Sequence, residues 1–212
     1  MGVLEFVNIG RPRPIQRESG ETTTTAIWKE PVGGRVAVRG VNIEGDDQAD
    51  RSVHGGPDQA IYAYAAEDTE WWSEQLGREL GPGTWGENLT VRGLDVTNAL
   101  VGERWAVGNV VLEATAPRLP CWKLARKMED PLFVRRFAAA GRPGAYFRIV
   151  QEGELAAGDT IEVVTRPQHE VTIALIATVL LFEQERAHEL LAAEALPADL
   201  REWAESRYSS TK

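Results

Sequence analysis

The residues best suited to chemistry gather around one sulfur. Cys121 is the only cysteine in the 212-residue chain and lies in Ala116-Pro117-Arg118-Leu119-Pro120-Cys121-Trp122-Lys123. Two prolines stiffen the backbone there and remove two amide donors. Arg118, Lys123 and Arg126 are close in sequence, and positive neighbours favour the thiolate, the form that attacks or binds a metal. A free thiol is otherwise usually buried and inert; the cations are what set this one apart. A second candidate is the loop from Gly45 to Asp58, which carries Asp50 and His54-Gly55-Gly56. Paired glycines permit close backbone approach and can aim N–H groups at an anion. His54 could donate to that anion or act as acid or base, or it is a satisfied loop histidine. A third is Gly86-Glu87-Asn88, where a glycine-rich loop delivers Glu87 and Asn88 to the start of a strand. An Asn amide offers both donor and acceptor to a heterocycle edge; a capped turn is the plainer alternative.

Charge supports the first candidate. The chain carries a net charge of -9, yet the window 117–150 holds eight Lys/Arg against two Asp/Glu, a local +6, and Cys121 sits inside it. A basic window in an acidic protein suggests an anion site, although a solvated basic helix face has the same composition. General acidity argues against nucleic-acid binding. One cysteine excludes a disulfide scaffold or a structural Cys cluster. The CxxC and HExxH metal spacings are absent, as is the G-x-S-x-G of a serine hydrolase. His169 and His188 fall outside these clusters and are read as incidental. The first ten residues lack the pattern of an export signal. The longest apolar run, 173–182, is far short of the roughly 20 residues that span a bilayer. A cytoplasmic protein without membrane association is expected.

The elements that must position these residues are mostly short strands: 3–8, 25–28, 35–39, 60–64, 88–91, 104–107, 110–114, 146–150 and 160–164, rich in Val, Ile, Tyr and Thr. Gly108-Asn109 between two of them is a hairpin signal. Strands in this number suggest a barrel or sandwich. Helices are expected at 67–80, where Trp72, Leu76 and Leu80 make one stripe, and at 132–140, with Asp130 as cap, Pro131 in the first turn and Gly141 as terminator. Past Arg166-Pro167-Gln168 the alternation stops, and helical stretches follow at 172–181, 183–195 and 197–206. The fold expected is therefore mainly β: a barrel over 1–166 and a small C-terminal three-helix segment over 167–212.

Gly45-Asp46, Asp50, His54-Gly55-Gly56, Gly86-Glu87-Asn88-Leu89, Pro117-Arg118-x-Pro120-Cys121, Tyr146-x-Arg148 and Gly158-Asp159 stand in the order and rough spacing of the MOSC-domain family, named for the C-terminal domain of molybdenum cofactor sulfurases. The chain resembles that family from about Val3 to Val164. Its tail is similar to the three-helix segment of the small free-standing bacterial branch. The resemblance implies a β-barrel that binds molybdenum cofactor, a pterin dithiolene with a terminal phosphate, and no pyridoxal phosphate. By analogy Cys121 would ligate the metal. Arg118, Lys123, Arg148 and His54-Gly55-Gly56 would hold the phosphate, and Glu87 and Asn88 the pterin edge. Relatives reduce N-hydroxylated compounds such as amidoximes and hydroxylaminopurines, a detoxifying activity, with electrons from a separate redox protein. His54 or Asp50 would then shuttle protons. The alternatives are a non-catalytic carrier of molybdopterin or of a Cys121 persulfide, and a metal-free Cys-His hydrolase or phosphate-binding module. Trp85, Gly102-Glu103 and Ala145 depart from the family's usual residues and bear on the substrate pocket. The tail could pack on the barrel, form a homodimer contact or receive the electron donor.

Overall fold

The computed structural model describes residues 1–47 and 56–209. Thirteen strands occur among them: β1 (Gly2–Ile9), β2 (Arg13–Gln16), β3 (Thr22–Thr25), β4 (Glu30–Val32), β5 (Val36–Arg39), β6 (Asn42–Ile43), β7 (Ile61–Ala65), β8 (Leu89–Arg92), β9 (Arg104–Val107), β10 (Val110–Pro117), β11 (Ala145–Gln151), β12 (Gly153–Leu155) and β13 (Thr160–Thr165). The α-helices are α1 (Ala66–Leu76), α2 (Trp122–Met128), α3 (Phe133–Ala140), α4 (Ile173–Leu181) and α5 (Ala198–Ser209), with 3₁₀ turns at Pro57–Gln59 and Gln184–Ala192.

Seven strands close into a barrel. Their order is β13-β9-β10-β11-β7-β8-β1, and β1 pairs back onto β13, so no edge is left between them. β4 adds to the outer part of β1. All neighbours are antiparallel except β7 and β8. That parallel pair needs a crossover, which α1 supplies. The β9–β10 hairpin turns at Gly108-Asn109 with Val107 opposite Val110, and Gly108 has φ 57°, the positive value such a tight turn requires. β2 and β3 form a separate two-stranded hairpin, and β5, β6 and β12 a small three-stranded sheet.

Most expected strands lie where the alternation put them. The segment expected as a strand at 25–28 instead ends β3 and turns into the loop that leads to Lys29. β2, β4, β6 and β12 are two to four residues long, too short to show alternation. α1 ends at Leu76 rather than residue 80, because Gly77 takes a left-handed conformation (φ 61°) and its N–H caps Glu74 O. Gly141 terminates α3 in the same way. α2 was not anticipated; the prolines and charges around it hide its short apolar face.

Two apolar clusters organise the interior. The larger fills the barrel and continues into the C-terminal helices, so Trp105, Val107 and Leu112 belong to one core with Ile173, Ile176, Leu190 and Ala204. The helical segment is sewn to the barrel by backbone bonds: Val101 N–H donates to Val171 O and Ile173 N–H to Ala99 O, both at 3.0 Å. Thr172 Oγ1 caps α4 by accepting from Leu175 N–H. The smaller cluster is aromatic. Tyr62, Tyr64, Trp72, Trp85, Phe133 and Phe137 pack with Leu124 and Met128 between β7 and helices α1 to α3. This second core carries the site.

Candidate functional site

β10 ends at Pro117, and the chain then crosses the aromatic cluster as Arg118-Leu119-Pro120 before α2 begins. Cys121 is the N-cap of α2 in an extended conformation, with its carbonyl accepting from Leu124 N–H at 3.0 Å. The surrounding cleft encloses about 760 Å³ with its open mouth. Arg118, Cys121 and Lys123 line it from this segment, Tyr146 from β11, Gln59 from the 3₁₀ turn, Tyr62 from β7, Trp85 and Asn88 from the glycine-rich loop, and Ile27, Lys29 and Asp46 from the N-terminal loops.

Three cations line the cleft, Lys29, Arg118 and Lys123; a fourth, Lys127, stands behind its wall, and they are not equivalent. Lys29 pairs with Asp46, both side chains being almost fully buried. Burial pulls the Lys29 ammonium below the usual lysine range, against the attraction of Asp46. Lys127 donates to Ile27 O at 2.9 Å and to Gly83 O. Burial pushes it down to about 8, opposed chiefly by Glu87. Among the described residues Arg118 and Lys123 have no such acidic partner. Arg118 is 6% exposed, stacked against Tyr62 and Phe137 with its guanidinium carbon 5.6 and 5.8 Å from the ring centroids. Its Nη1 is buried without a hydrogen-bond partner. Lys123 is 7% exposed, and among the described residues no acid pairs with it. A guanidinium does not lose its proton in a protein, so the cleft holds a fixed positive charge that asks for an anion. Burial raises the hydroxyls of Tyr62 and Tyr146 above the usual tyrosine range, so they stay protonated donors.

Of the residues singled out in the sequence, Cys121, Arg118, Lys123 and Asn88 meet at this cleft. Asn88 does so in a different capacity from the one expected. Its Oδ1 accepts from Tyr62 N–H at 3.2 Å, and its Nδ2 donates to Asp46 Oδ2 at 2.9 Å and Asn8 O at 3.3 Å. With the amide committed on both sides, Asn88 fixes the loop rather than presenting an edge to a ligand. Glu87 is fully buried and faces its own loop: Gly83 N–H (2.6 Å), Trp85 N–H (2.9 Å) and the Thr90 hydroxyl (3.0 Å) donate to its carboxylate. Gly81, Gly83 and Gly86 match a dinucleotide-type spacing, but their loop runs into strand β8 and opens no helix, so the phosphate cradle of that motif is absent.

Arg148 is displaced from the cleft. It shares a strand face with Tyr146, yet lies two residues further along, about 7 Å at strand rise. There Nε meets Asp58 Oδ1 at 2.9 Å, Nη1 meets Glu113 Oε1 at 3.5 Å, and Nη2 donates to Ala195 O at 3.1 Å. It ties barrel, 3₁₀ turn and helical segment together. Gly56 has φ 94° and leads into Pro57–Gln59 without lining the cleft. Asp50, His54 and Gly55 lie outside the described residues.

Sequence reasoning missed Lys29, Asp46, Tyr62 and Lys127. Asp46 stood within a quoted motif without a role. Lys29 gave only a weak signal, a single cation after the apolar Ala26-Ile27-Trp28. Among the described residues no group of three or more His, Cys, Asp and Glu side chains could hold a metal ion, and no helix is long and apolar enough to cross a membrane.

A barrel with its cysteine beside a cationic cleft defines the class, and comparison with known proteins agrees. The MOSC domain pattern matches residues 50–162, more than half of the chain. The chain belongs to the MOSC domain family. Within it the protein falls among the small bacterial members of the YiiM and YflK kind. It is 36% identical over 167 residues to the uncharacterized protein YflK of Bacillus subtilis (strain 168), covering 79% of this chain and 75% of YflK. It superposes on the crystal structure of YiiM from Geobacillus stearothermophilus with a TM-score of 0.80 at 30% identity, over 98% of this chain and 99% of that one. It is also 29% identical over 200 residues to a protein of Gibberella moniliformis (strain M3125 / FGSC 7600) named "Reductase", covering 92% of this chain but only 35% of that longer protein.

Proposed function

We propose that this protein binds molybdenum cofactor in the Cys121 cleft and reduces N-hydroxylated compounds with electrons from a separate donor protein. The observation that carries the reading is the buried, unpartnered Nη1 of Arg118 beside the Cys121 segment. A cleft that buries two cations with no acidic partner among the described residues, next to one soft sulfur, has the donor set for an anionic, metal-bearing ligand. The likeness to a protein named reductase supports the reductive direction.

In this reading Cys121 supplies the protein sulfur to the metal. Arg118 and Lys123 hold the terminal phosphate, and Tyr62, Tyr146 and Trp85 form the apolar wall that excludes water from it. The bound group would supply two-electron oxygen-atom chemistry. The protein's own contribution is orientation: the Asn88–Asp46–Lys29 network and the Lys127 bonds to two loop carbonyls hold the walls before any ligand arrives, which lowers the ordering cost of binding.

Protein expressed with molybdate and active cofactor synthesis should carry about one molybdenum per chain by elemental analysis. It should also turn over an amidoxime or a hydroxylaminopurine with an artificial reductant. Cys121→Ala should lose both metal and turnover, and a fully active Cys121→Ala would overturn the proposal. Cofactor retained without turnover across a substrate panel would replace the reductase with a carrier.

A further inference from the structure

The stretch from Gly10 to Lys29 leaves the barrel and returns to it as one flap. Both of its ends meet on Asp46: the Gly10 N–H donates to Oδ1 at 2.6 Å, and the Lys29 ammonium pairs with the same carboxylate. Between them β2 and β3 pair only with each other, so no ladder ties the flap to the other sheets. Their register puts Arg13 opposite Thr25 and Ile15 opposite Thr23 on one face, and Pro14 opposite Thr24 and Gln16 opposite Thr22 on the other. All four residues of the second face are exposed. On the first, Ile15 is the one apolar side chain, and it is buried. Thr25, at the foot, lines the Cys121 cleft together with Ala26 and Ile27. The Arg13 guanidinium stacks 3.7 Å from the centroid of Trp28 within the same stretch, which stiffens the hinge end.

Four residues of β2 carry the chain about 13 Å from this foot at strand rise. At the tip the Arg17 guanidinium lies over the ring of Trp122, 5.1 Å from its centroid, and Trp122 follows Cys121 at the start of α2. Arg17 is half-exposed, and its ion pair, 3.6 Å to Glu21, stays within the hairpin turn. The flap therefore runs from one part of the cleft lining to the residue beside another part of it. A lone two-stranded hairpin is marginally stable in water, and this one has a single buried apolar side chain and a solvent-screened contact at its tip. We propose that the β2–β3 hairpin is a lid on the Cys121 cleft, hinged at Asp46 and latched where Arg17 rests on Trp122. Swinging it gives up the Ile15 packing and the latch and leaves every barrel ladder intact. The fixed charge of the cleft acts most strongly when water is excluded, yet a ligand that fills about 760 Å³ has to enter. A lid meets both needs. Arg17 touches no reacting group; it is a positioning residue that acts through the hairpin. The inference needs only the cleft and holds whichever ligand fills it.

The single cysteine reports the lid directly. In the purified full-length chain without cofactor, the rate at which neutral N-ethylmaleimide alkylates Cys121 follows the fraction of time the lid is open. Arg17→Ala should raise that rate about two- to fivefold, the range of an exposed cation–π contact. Mere loss of a neighbouring cation acts the other way, because it disfavours the reactive thiolate. Trp122→Leu removes the other half of the latch, and in that background Arg17→Ala should bring no further acceleration. Arg135→Ala, which deletes an exposed cation on α3, should leave the rate unchanged. Alkylation that Arg17→Ala leaves unchanged or slows would overturn the lid, as would the same acceleration from Arg135→Ala or in the Trp122→Leu background. No metal, cofactor or substrate enters the measurement, so its failure is distinct from failure of the reductase reading.

Discussion

Replacing Arg118 by Met separates what this residue does for folding from what it does for a ligand. Arg118 is 6% exposed, has no carboxylate partner among the described residues and leaves Nη1 without a hydrogen bond. A buried ion in that state costs several kcal/mol after relaxation. Its stacking on Tyr62 and Phe137 returns about 2 kcal/mol in a desolvated setting. Met matches the length and apolar contact of the side chain and carries no charge to desolvate. Arg118→Met is therefore expected to raise the unfolding free energy of the ligand-free protein by about 1–3 kcal/mol, within the range seen when buried ions give way to apolar side chains. Anion binding should respond in the opposite sense. Each hydrogen bond to a charged group is worth about 1.5–3 kcal/mol, so loss of one weakens phosphate or pyrophosphate roughly 10- to 150-fold. The assays are urea unfolding without ligand and thermal shift against increasing pyrophosphate. If Arg118→Met destabilises the free protein by more than about 2 kcal/mol while pyrophosphate protects both proteins equally, Arg118 is a structural strut and the anion-site argument fails.

Two further outcomes follow from the same charges. Lys127 is held near 8 in the folded protein, below its ordinary value of 10.5. The unfolded chain therefore binds more protons between these values, and stability should rise as pH increases from about 8 towards 10. Below 8 both states are protonated and the cost of burying the ammonium is present in full. Urea midpoints at pH 7.5, 8.5 and 9.5 should climb, and Lys127→Met should flatten the slope. Arg148→Met should lower stability by about 1–2 kcal/mol, because it takes the cation from Asp58 and the donor from the Ala195 carbonyl, while Glu113 keeps Arg104 at 2.7 Å; pyrophosphate affinity should stay within about twofold of the parent protein, whereas a phosphate ligand at this position would give at least the tenfold loss expected for Arg118.

The parts of the fold legible in the sequence are those whose own side chains specify them. β9 and β10 announce themselves by apolar alternation around Gly108-Asn109, and α3 by a proline before it and a glycine after it. α2 is different. Its seven residues, Trp122–Met128, carry three cations, and two of these, Lys123 and Lys127, point inward. A pattern that counts charge as exposure cannot find a helix whose charges are on the inside. The same inversion explains the site. Arg148 and Glu87 look like ligand contacts from residue type and neighbourhood. Arg148 is sent towards Ala195 by its register in the barrel, which local sequence does not contain. Glu87 is turned back by the Gly83 and Trp85 amides of its own loop, a turn geometry that residue type alone does not reveal.

That inversion also gives the basic window its physical meaning. A protein with a net charge of -9 could place eight local cations on its surface and have them screened. Arg135 and Arg136 are exposed in that way, and Arg136 pairs with Asp130. Lys127 is drawn inward against the Glu87 loop, which balances it. Arg118 and Lys123 are drawn inward as well, with no acid alongside among the described residues. The first arrangement adds little, the second neutralises itself, and only the third leaves charge that folding alone does not justify. A chain that retains two such cations beside its single sulfur carries a folding penalty that an anionic ligand would relieve. Binding should then appear as stabilisation that grows with ligand concentration, and it should be largest for a ligand that also reaches Cys121.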